Sequence, residues 1–394
     1  MAIGDLAERA KAFDGGLLYL CPDTNGDDGV AGGSFGDALQ AFDGRAAHVP
    51  FNPQFLVALP FVNQKDESKR VIHALGLYAA IEDSLSQLSG GGKRSVLITC
   101  KSNRRAGCAY AAYDFVTNHL NEDLDAFLAT SKAQGLTFVE SEPMVLWLKT
   151  VVEWKRKSGS RPLVLRQLFV KTSSTYTYLL YDDVTKEGIL IDPVKETAQR
   201  DAKLAGELGV TLRYALNTHV HADHITSTGL LKTLLSPPPA SVISKVGGAE
   251  ADVLVDDYDV LSFANGRRHI FVLSTPGHTV GCMSFVVFDA GRTLVFTGDA
   301  LLIRGCGRTD FQGGSSESLY DAVHSRLFSL PASALVLPAH NYDGLPSSTI
   351  GEERTLNPRL TKSKEEFVSI MANLNLPPPA KFDESVPANL KCGV

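Results

Sequence analysis

The segment from Thr218 to His224 (THVHADH) constrains the fold more than any other part of this chain. It places four metal-binding side chains within six positions, directly after the apolar run from Leu212 to Leu216. In an extended segment, residues two apart project to the same side, so His219 and His221 can face one ion. The last two residues fall where the chain could turn into a helix. A solvated polar loop is the simpler interpretation, but three of the ten histidines lie in this window, which favours a metal site.

Three later segments repeat the pattern of an apolar run that ends on a metal-binding side chain. They end on His278, Asp299 and His340. Each apolar run predicts a β-strand, and side chains at the ends of several strands can converge on one point above a sheet. A single histidine after a strand is more often a surface or core residue than a ligand. Four segments of the same design favour one metal centre.

The length of the chain predicts two domains, because 394 residues are too many for one ordinary domain. The segment from Lys155 to Pro162 (KRKSGSRP) is the predicted linker, which gives domains of residues 1–158 and 163–394. In the first, we predict strands at 17–20 and 95–99 and helices at 67–88, 107–119 and 143–154. In the second, we predict strands at 163–170, 176–181 and 188–191, then a helix at 196–208 that Gly209 ends.

Composition narrows the class of protein. An apolar fraction of 44% and a charged fraction of 21% are typical of a soluble globular protein. A net charge of −6 without a basic stripe argues against nucleic-acid binding, and no apolar run approaches the roughly 20 residues that span a bilayer. The first residues lack the apolar region of a targeting segment. Six scattered cysteines predict free thiols in a reducing compartment, so we expect the cytoplasm or the mitochondrial matrix.

The metal-binding pattern resembles the metallo-β-lactamase superfamily. His219, His221, Asp223 and His224 match its H-x-H-x-D-H signature, and the three later positions match its His, Asp and His. The resemblance covers roughly residues 163–360. It implies an αββα sandwich, in which two mixed sheets pack face to face with helices outside and the metal lies at one edge. The predicted fold class is therefore α/β throughout, with this sandwich preceded by a smaller α/β domain.

Longer motifs resemble the persulfide dioxygenase (sulfur dioxygenase) family within that superfamily. They are the segments Thr297 to Gln312, Pro338 to Tyr342 and Glu352 to Leu360. The one departure is Asn341, where that family usually has Asp. The glyoxalase II relatives carry a different continuation and an added helical domain, for which the residues from 361 onward are too few.

This resemblance implies one iron(II) per chain, held by His219, His278 and Asp299 as the catalytic metal ligands. Two imidazoles and one carboxylate leave open positions, an arrangement suited to oxygen activation. The implied reaction converts glutathione persulfide, oxygen and water into sulfite and glutathione.

The remaining four metal-type residues leave an alternative open. In the dioxygenase they would orient the ligands and hydrogen-bond bound water or oxygen. In a glyoxalase II-like hydrolase they would hold a second metal, and two zinc ions would activate a hydroxide for glutathione-thioester hydrolysis. A sulfur-carrier or anion-binding module with a structural metal is the third possibility. The four residues are His221, Asp223, His224 and His340.

Glutathione carries two carboxylates, so its site needs cationic or hydrogen-bonding groups. The family-matched candidates for substrate binding are Arg308, Tyr342 and Arg359, because guanidinium can clamp a carboxylate bidentately. Structural ion pairs are the alternative for the two arginines. Cys306 is a candidate redox-sensitive thiol, but in a Gly-Cys-Gly turn it is more often small and structural. A homodimer is a further expectation.

Cys100 in the first domain follows a predicted strand and precedes a predicted helix, with Arg104 and Arg105 nearby. Backbone N–H groups and the helix dipole at such a position favour an anion and lower a thiol pKa. The segment resembles the active-site loop of rhodaneses and cysteine phosphatases, which implies sulfur transfer through Cys100. Two departures, Thr99 before the cysteine and Asn103 in place of the loop glycine, leave an inactive domain kept for packing or assembly as the alternative.

Overall fold

The computed structural model describes residues 16–20, 46–48, 64–89, 96–99, 104–158, 161–379 and 381–394. The chain divides into two units, Met1–Ser158 and Gly159–Val394. Each unit is described by itself below.

Three short parallel strands form the described sheet of the first unit, in the order β2–β1–β3. Its helices pack around Trp147, which is fully buried and donates a hydrogen bond from Nε1 to the Ala74 carbonyl at 3.2 Å. Tyr78, Phe115 and Phe138 are the other largest buried side chains of this core. The elements are β1 (Gly16–Tyr19), β2 (Ala46–His48), α1 (Gln64–Ser89), β3 (Val96–Thr99), α2 (Arg104–Asn118), α3 (Leu124–Ala133), a 3₁₀ turn (Thr137–Glu140) and α4 (Glu142–Lys157).

The predicted linker begins too early, because α4 continues through Lys157. Lys155, Arg156 and Lys157 form its last turn, where cations interact favourably with the negative end of the helix dipole. Arg156 also donates to the Leu120 carbonyl at 2.8 Å, which fixes this turn against the loop between α2 and α3.

Two six-stranded mixed sheets make up the second unit and confirm the predicted metallo-β-lactamase architecture. Within each sheet the strands lie in sequence order. The first contains β4 (Val164–Val170), β5 (Thr175–Tyr181), β6 (Glu187–Ile191), β7 (Thr211–Leu216), β8 (Ala240–Ser244) and β9 (Val253–Val255). The second contains β10 (Val260–Phe263), β11 (Arg268–Ser274), β12 (Met283–Asp289), β13 (Arg292–Gly298), β14 (Leu335–Pro338) and β15 (Ser348–Thr349).

The core lies between the two sheets, where apolar side chains alternate inward along the strands. Tyr178 on β5 shows how the layers meet. Its ring contacts Phe296 on β13 with centroids 5.1 Å apart, and its hydroxyl donates to the Pro338 carbonyl at 2.7 Å. Because Pro338 ends β14, this contact ties the two sheets together beside the strand ends that carry the predicted ligands.

Helices lie outside the sheets, as the αββα prediction requires. The predicted helix at 196–208 is a 3₁₀ turn (Lys195–Thr197) followed by α5 (Ala198–Glu207), and Gly209 ends it with a φ of +66°. The helix after the histidine segment, α6 (Thr228–Leu234), starts later than predicted, so Asp223 and His224 lie in a loop. The others are α7 (Ser316–Ala322), a π-helical turn (Val323–Leu327), α8 (Ile350–Leu356), α9 (Lys364–Ala372) and α10 (Phe382–Asn389).

A buried ion network closes another part of the sandwich. Arg268 is 5% exposed and pairs with Asp182 at 2.8 Å and with Asp289 at 3.2 Å. Asp289 also accepts from the Leu163 backbone N–H at 3.0 Å. These bonds join the start of β4, the β5–β6 turn and the end of β12, so they fasten the two sheets to each other.

Among the described residues, no helix has both the length and the apolar character that crossing a membrane requires.

Candidate metal centre

Seven side chains gather at one edge of the sandwich, where β7, β11, β13 and β14 end. They form two groups, and within each group the possible ligand atoms lie within 4.8 Å of one another. The first group is His219, His278 and Asp299, and the second is His221, Asp223, His224 and His340. The structure thus brings together every metal-type residue that the sequence pattern singled out.

Hydrogen bonds fix the ring orientation of both histidines in the first group. His278 Nδ1 lies 2.6 Å from the Arg308 carbonyl, which can only accept, so Nδ1 carries the proton and Nε2 has a free lone pair. That Nε2 lies 3.5 Å from Asp299 Oδ2. His219 Nδ1 donates to the Thr218 hydroxyl at 3.0 Å, because that hydroxyl gives its own proton to a carboxylate. Burial, with His221 and His278 nearby, holds the pKa of His219 well below its usual value, so it is the neutral ligand form.

The donor set fits a bound cation. Asp299 Oδ1, His221 Nδ1 and His224 Nε2 are buried, and none has a hydrogen-bond partner among the described residues. A buried carboxylate oxygen or ring nitrogen without a partner is costly in free energy. A metal ion in the first group would take the Asp299 Oδ1 lone pair, and two imidazoles with one carboxylate suit a divalent transition metal. His221 Nδ1 and His224 Nε2 belong to the second group, so only a metal ion there would take their lone pairs.

Carboxylates balance the histidines of the second group. His224 Nδ1 lies 2.9 Å from Asp223 Oδ2, and His340 Nε2 lies 3.5 Å from the same oxygen. Burial alone would raise the pKa of Asp223, but His340 and His224 hold it well below its usual value. Burial alone would lower the pKa of His340, but Asp299 and Asp223 raise it. The group is therefore a compact set of compensated charges.

Asp192 is a site residue that the sequence analysis missed. It follows β6 with a φ of +48° and is 1% exposed. Its carboxylate accepts from the Thr218 backbone N–H at 2.7 Å, from the Thr218 hydroxyl at 3.0 Å and from His221 Nε2 at 3.0 Å. It therefore orients His221 directly and His219 through Thr218. The sequence shows the same pattern here, because Asp192 directly follows an apolar strand, as Asp299 does.

Two glycines let the backbone approach the ligands. Gly298, just before Asp299, has a φ of +54°, and a Cβ there would lie 2.6 Å from the Thr218 hydroxyl oxygen. At Gly307, a Cβ would lie 2.7 Å from both His278 Nδ1 and the Asp299 carbonyl oxygen. Real Cβ atoms essentially never lie closer than 3.0 Å to such neighbours, so a side chain at either position would force the surrounding atoms to move. Gly307 also donates from its backbone N–H to the Asp299 carbonyl at 2.7 Å.

A cavity of about 670 Å³ opens beside the first group. Its volume falls in the range of small-molecule binding sites, roughly 300–1,000 Å³. One wall is the proline-rich segment 376–379. All three predicted substrate-binding residues line it together with metal-type residues, among them His278, Asp299, His340, Arg308, Tyr342 and Arg359.

Arg308 is already heavily bonded in this cavity. It makes a bidentate pair with Asp310 at 2.7 Å and donates to the carbonyls of Leu376 at 3.1 Å and Pro377 at 2.6 Å. These bonds use four of its five N–H groups, so one remains for a ligand. Arg359 donates to the Cys306 carbonyl at 3.4 Å. Arg308 thus holds the proline-rich wall in place.

Tyr342 differs from the two arginines, since it is 77% exposed. Its ring is nearly parallel to that of His340, with an angle of 4° and centroids 6.1 Å apart. An exposed phenol at the cavity edge is free to turn toward a ligand.

The motif at 352–360 supports the loop that carries Gly307. Glu353 is fully buried and accepts from the Arg304 backbone N–H at 2.8 Å and from Asn357 Nδ2 at 3.0 Å. Asn357 Nδ2 also reaches the Gly305 carbonyl at 3.0 Å. Cys306 is buried within this loop, and burial raises the pKa of its thiol to about 11, so it is a poor nucleophile at neutral pH.

Cys100 lies outside the described residues. Arg104 and Arg105 begin α2, the first exposed and the second half-buried. The predicted anion loop therefore connects the end of β3 to the start of α2, and its chemistry stays a prediction.

Comparison with known proteins identifies the proteins that this chain resembles. The metallo-beta-lactamase superfamily matches residues 170–340. The mitochondrial persulfide dioxygenase ETHE1 of Homo sapiens is 55% identical over 240 residues, which cover 61% of this chain and 92% of that protein. The crystal structure of ETHE1 from Myxococcus xanthus is 48% identical with a TM-score of 0.55, and the match covers 59% of this chain and all of that one.

A beta-lactamase hydrolase-like protein of Xylella fastidiosa is 29% identical over 315 residues. That match covers 70% of this chain and 68% of the other protein, more than the second unit alone could supply. The rhodanese- or phosphatase-like identity of the first unit stays a prediction. Through its second unit, which gives 55% identity across 92% of a persulfide dioxygenase, the chain belongs to the persulfide dioxygenase family.

Proposed function

We propose that this chain is an iron(II) dioxygenase that oxidises glutathione persulfide to sulfite and glutathione. One observation carries the proposal: His219, His278 and Asp299 meet beside a cavity, with Asp299 Oδ1 buried and unpartnered among the described residues. The family's flanking motifs build the wall next to this group. Glutathione persulfide, oxygen and water on one side balance sulfite, glutathione and two protons on the other.

The three residues of the first group would hold the iron through His219 Nε2, His278 Nε2 and the Asp299 carboxylate. Bound there, iron(II) would supply open coordination positions at which a soft sulfur anion and oxygen can meet in a fixed orientation. The chain itself keeps both rings correctly turned, through Thr218 for His219 and the Arg308 carbonyl for His278. This preorganisation removes the need for reorientation when the substrate enters.

The second group would act on protons and orientation in this proposal. His340 Nε2 lies 3.8 Å from Asp299 Oδ1 and 3.5 Å from Asp223. Its raised pKa suits a ring that can hold a proton between two carboxylates. His221, fixed by Asp192, stands behind His219 with ring centroids 4.1 Å apart, so it limits the movement of that ligand.

The cavity would bind the glutathione portion. Tyr342 at the rim and Arg359 in the wall are the candidates for its carboxylates, with the one N–H that Arg308 keeps free. Guanidinium and phenol donors recognise carboxylate by charge-assisted hydrogen bonds. The segment 376–379 would supply apolar contact for the peptide backbone.

An oxygen-electrode assay tests the proposal. We expect the iron-loaded full chain to consume oxygen with glutathione persulfide and release sulfite, and Asp299→Ala to lose both. Asp183→Ala, in an exposed turn, is the matched control and should retain them. Iron binding without persulfide-dependent oxygen uptake would reject the proposed reaction.

A dinuclear zinc hydrolase acting on glutathione thioesters is the second candidate. The observation that favours it is the second group, whose ring atoms His221 Nδ1 and His224 Nε2 lack partners among the described residues. Two metals could then activate a bridging hydroxide. Metal analysis separates the candidates, because two zinc ions per chain with thioester hydrolysis and no oxygen uptake would favour the hydrolase.

We further propose that Cys100 carries sulfane sulfur. The supporting observation is the order of elements, in which parallel β3 ends at Thr99 and α2 begins at Arg104. Ligands of such α/β units bind at the carboxyl ends of the strands. In the assay, the Cys100 thiolate takes the outer sulfur of thiosulfate and releases sulfite; cyanide then takes that sulfur as thiocyanate and regenerates the thiolate. Thiocyanate formation that Cys100→Ser does not reduce, judged against Cys21→Ser, would dismiss this idea.

We propose a reducing compartment, the cytoplasm or the mitochondrial matrix. In support, the cysteines in the described part of the chain are free thiols. A homodimer stays a prediction, which light scattering of the purified chain would test.

A further inference from the structure

The last described residues of the chain pack directly against the loop that carries the metal-binding histidines. We call residues 218–227 the histidine loop and residues 381–394 the C-terminal tail. The tail contains α10 and the turn that follows it. Apolar side chains on one face of the tail, Val386 and Leu390, pack against Val220 in the loop and Ile243 beneath it.

Asn389 makes the central contact. It is 3% exposed, and its Nδ2 donates at 2.8 Å to two loop carbonyls, those of His221 and His224. Its Oδ1 accepts from the Thr226 backbone N–H, also at 2.8 Å. An asparagine amide has two N–H donors, and both are used here on carbonyl oxygens. One side chain therefore binds three backbone groups across six loop positions.

Contacts on either side of Asn389 fix the tail in register. The Cys392 carbonyl accepts from the Gly229 N–H at 2.8 Å, and the Leu390 carbonyl accepts from the Glu250 N–H at 2.8 Å. Gly393 comes so close that a Cβ there would collide with the Thr226 carbonyl. Backbone bonds thus fix the tail beside the histidine loop, and within the tail it is the Asn389 side chain that reaches the His221 and His224 carbonyls.

We infer that Asn389 is a positioning residue for the metal centre, which holds the histidine loop in its metal-binding conformation. The loop has an intrinsic reason to open: it concentrates buried imidazoles, and two of their nitrogens have no partner among the described residues. Exposure to water would solvate those nitrogens. Asn389 opposes that opening through its side-chain hydrogen bonds to three backbone groups of the loop, which do not depend on the metal. This inference rests on the metal centre alone and not on the proposed reaction.

Metal affinity of the full chain measures the effect. We use Co²⁺ as the probe, with its dissociation constant from chelator competition and its visible absorption as a signature of ligand geometry. Asn389→Ala should raise the dissociation constant about 10- to 100-fold, the usual effect of losing a group that orients metal ligands, and should alter the absorption bands. Asn373→Ala is the control, because the side chain of that exposed asparagine donates to the Ser369 carbonyl of its own helix and has no other hydrogen bond to the described residues.

Thermal unfolding separates positioning from a purely structural role. If Asn389 positions the loop, the rise in Tm on adding Co²⁺ shrinks in the variant, because that rise reports affinity for the folded state. If Asn389 only stabilises the fold, metal-free and metal-loaded Tm fall equally while the Co²⁺ dissociation constant and spectrum stay at wild-type values, and the inference is overturned. Should Asn389→Ala not fold, Gly393→Ala disturbs the same contact between the C-terminal tail and the histidine loop. Unchanged Co²⁺ affinity in that variant would likewise overturn the inference. Absence of persulfide oxidation in the iron-loaded wild-type chain, with Co²⁺ binding intact, would instead count against the proposed function and would leave this inference standing.

Discussion

Gly307 offers the sharpest test of how the metal centre is built. Replacing it with alanine adds a Cβ that would lie 2.7 Å from His278 Nδ1, 2.8 Å from His278 Cγ and 2.7 Å from the Asp299 carbonyl oxygen. Ordinary non-bonded contacts lie at about 3.5 Å or more, so the atoms must separate by roughly 0.8 Å. Catalytic groups tolerate displacement of only about 0.5 Å, and 1 Å can lower a rate about 100-fold.

We therefore expect Gly307→Ala to lose about 100-fold in kcat/KM for persulfide-dependent oxygen uptake and to bind its metal more weakly. Overpacking should also lower the free energy of unfolding by about 1–3 kcal/mol. The assays are the oxygen electrode, metal content after dialysis and urea unfolding. Gly305→Ala is the control in the same loop, since the only atom near its added Cβ is Leu302 Cβ at 3.9 Å. Wild-type metal content and rate in Gly307→Ala would refute the packing argument.

Three further predictions follow from the contacts described above. Arg308→Lys cannot keep the bidentate pair with Asp310, so the proline-rich wall should loosen and KM should rise about 10-fold with kcat nearly constant; a fall in kcat alone would contradict this. Asp192→Asn removes the charge that holds two histidine orientations and should weaken metal binding about 10- to 100-fold in chelator competition. Arg268→Ala leaves the buried Asp182 carboxylate without its ion-pair partner, while Asp289 keeps Arg292, and should lower the free energy of unfolding by about 3–5 kcal/mol in urea. Burial alone would raise the pKa of Asp182, but hydrogen bonds and the charge of Arg268 lower it. The stability that this ion pair contributes is therefore present above the usual carboxyl pKa and is lost as pH falls toward the lowered pKa.

The site was predictable where chemistry sits at the end of a local apolar run. His219, His278, Asp299 and His340 each follow a strand whose pattern is visible within a few residues, and parallel or mixed strands that end at one edge must bring such residues together. Asp192 followed the same rule and was overlooked, because a lone carboxylate after a strand is usually a turn residue.

Other features depend on contacts that no local pattern reveals. Asn389 lies 168 positions after His221, and nothing in its neighbourhood of the sequence marks it as a partner of the loop. Arg308 has the residue type of a carboxylate clamp, yet the carbonyls of 376 and 377 take much of its donor capacity. The predicted end of α4 was wrong because the basic run from Lys155 to Lys157 was interpreted as a linker. Basic residues are also favourable in the last turn of a helix, where these three lie.

The distance along the chain between Asn389 and His221 has a consequence for biosynthesis. At a synthesis rate of about 5–20 residues per second, the ribosome adds the 168 positions that separate them in roughly 10–30 s. Throughout that interval the nascent chain displays its histidines without the element that later secures them. Insertion of the native ion is thus expected to follow synthesis of the segment that contains Asn389, and an excess of a competing metal would do most harm before that segment is made and the loop is secured.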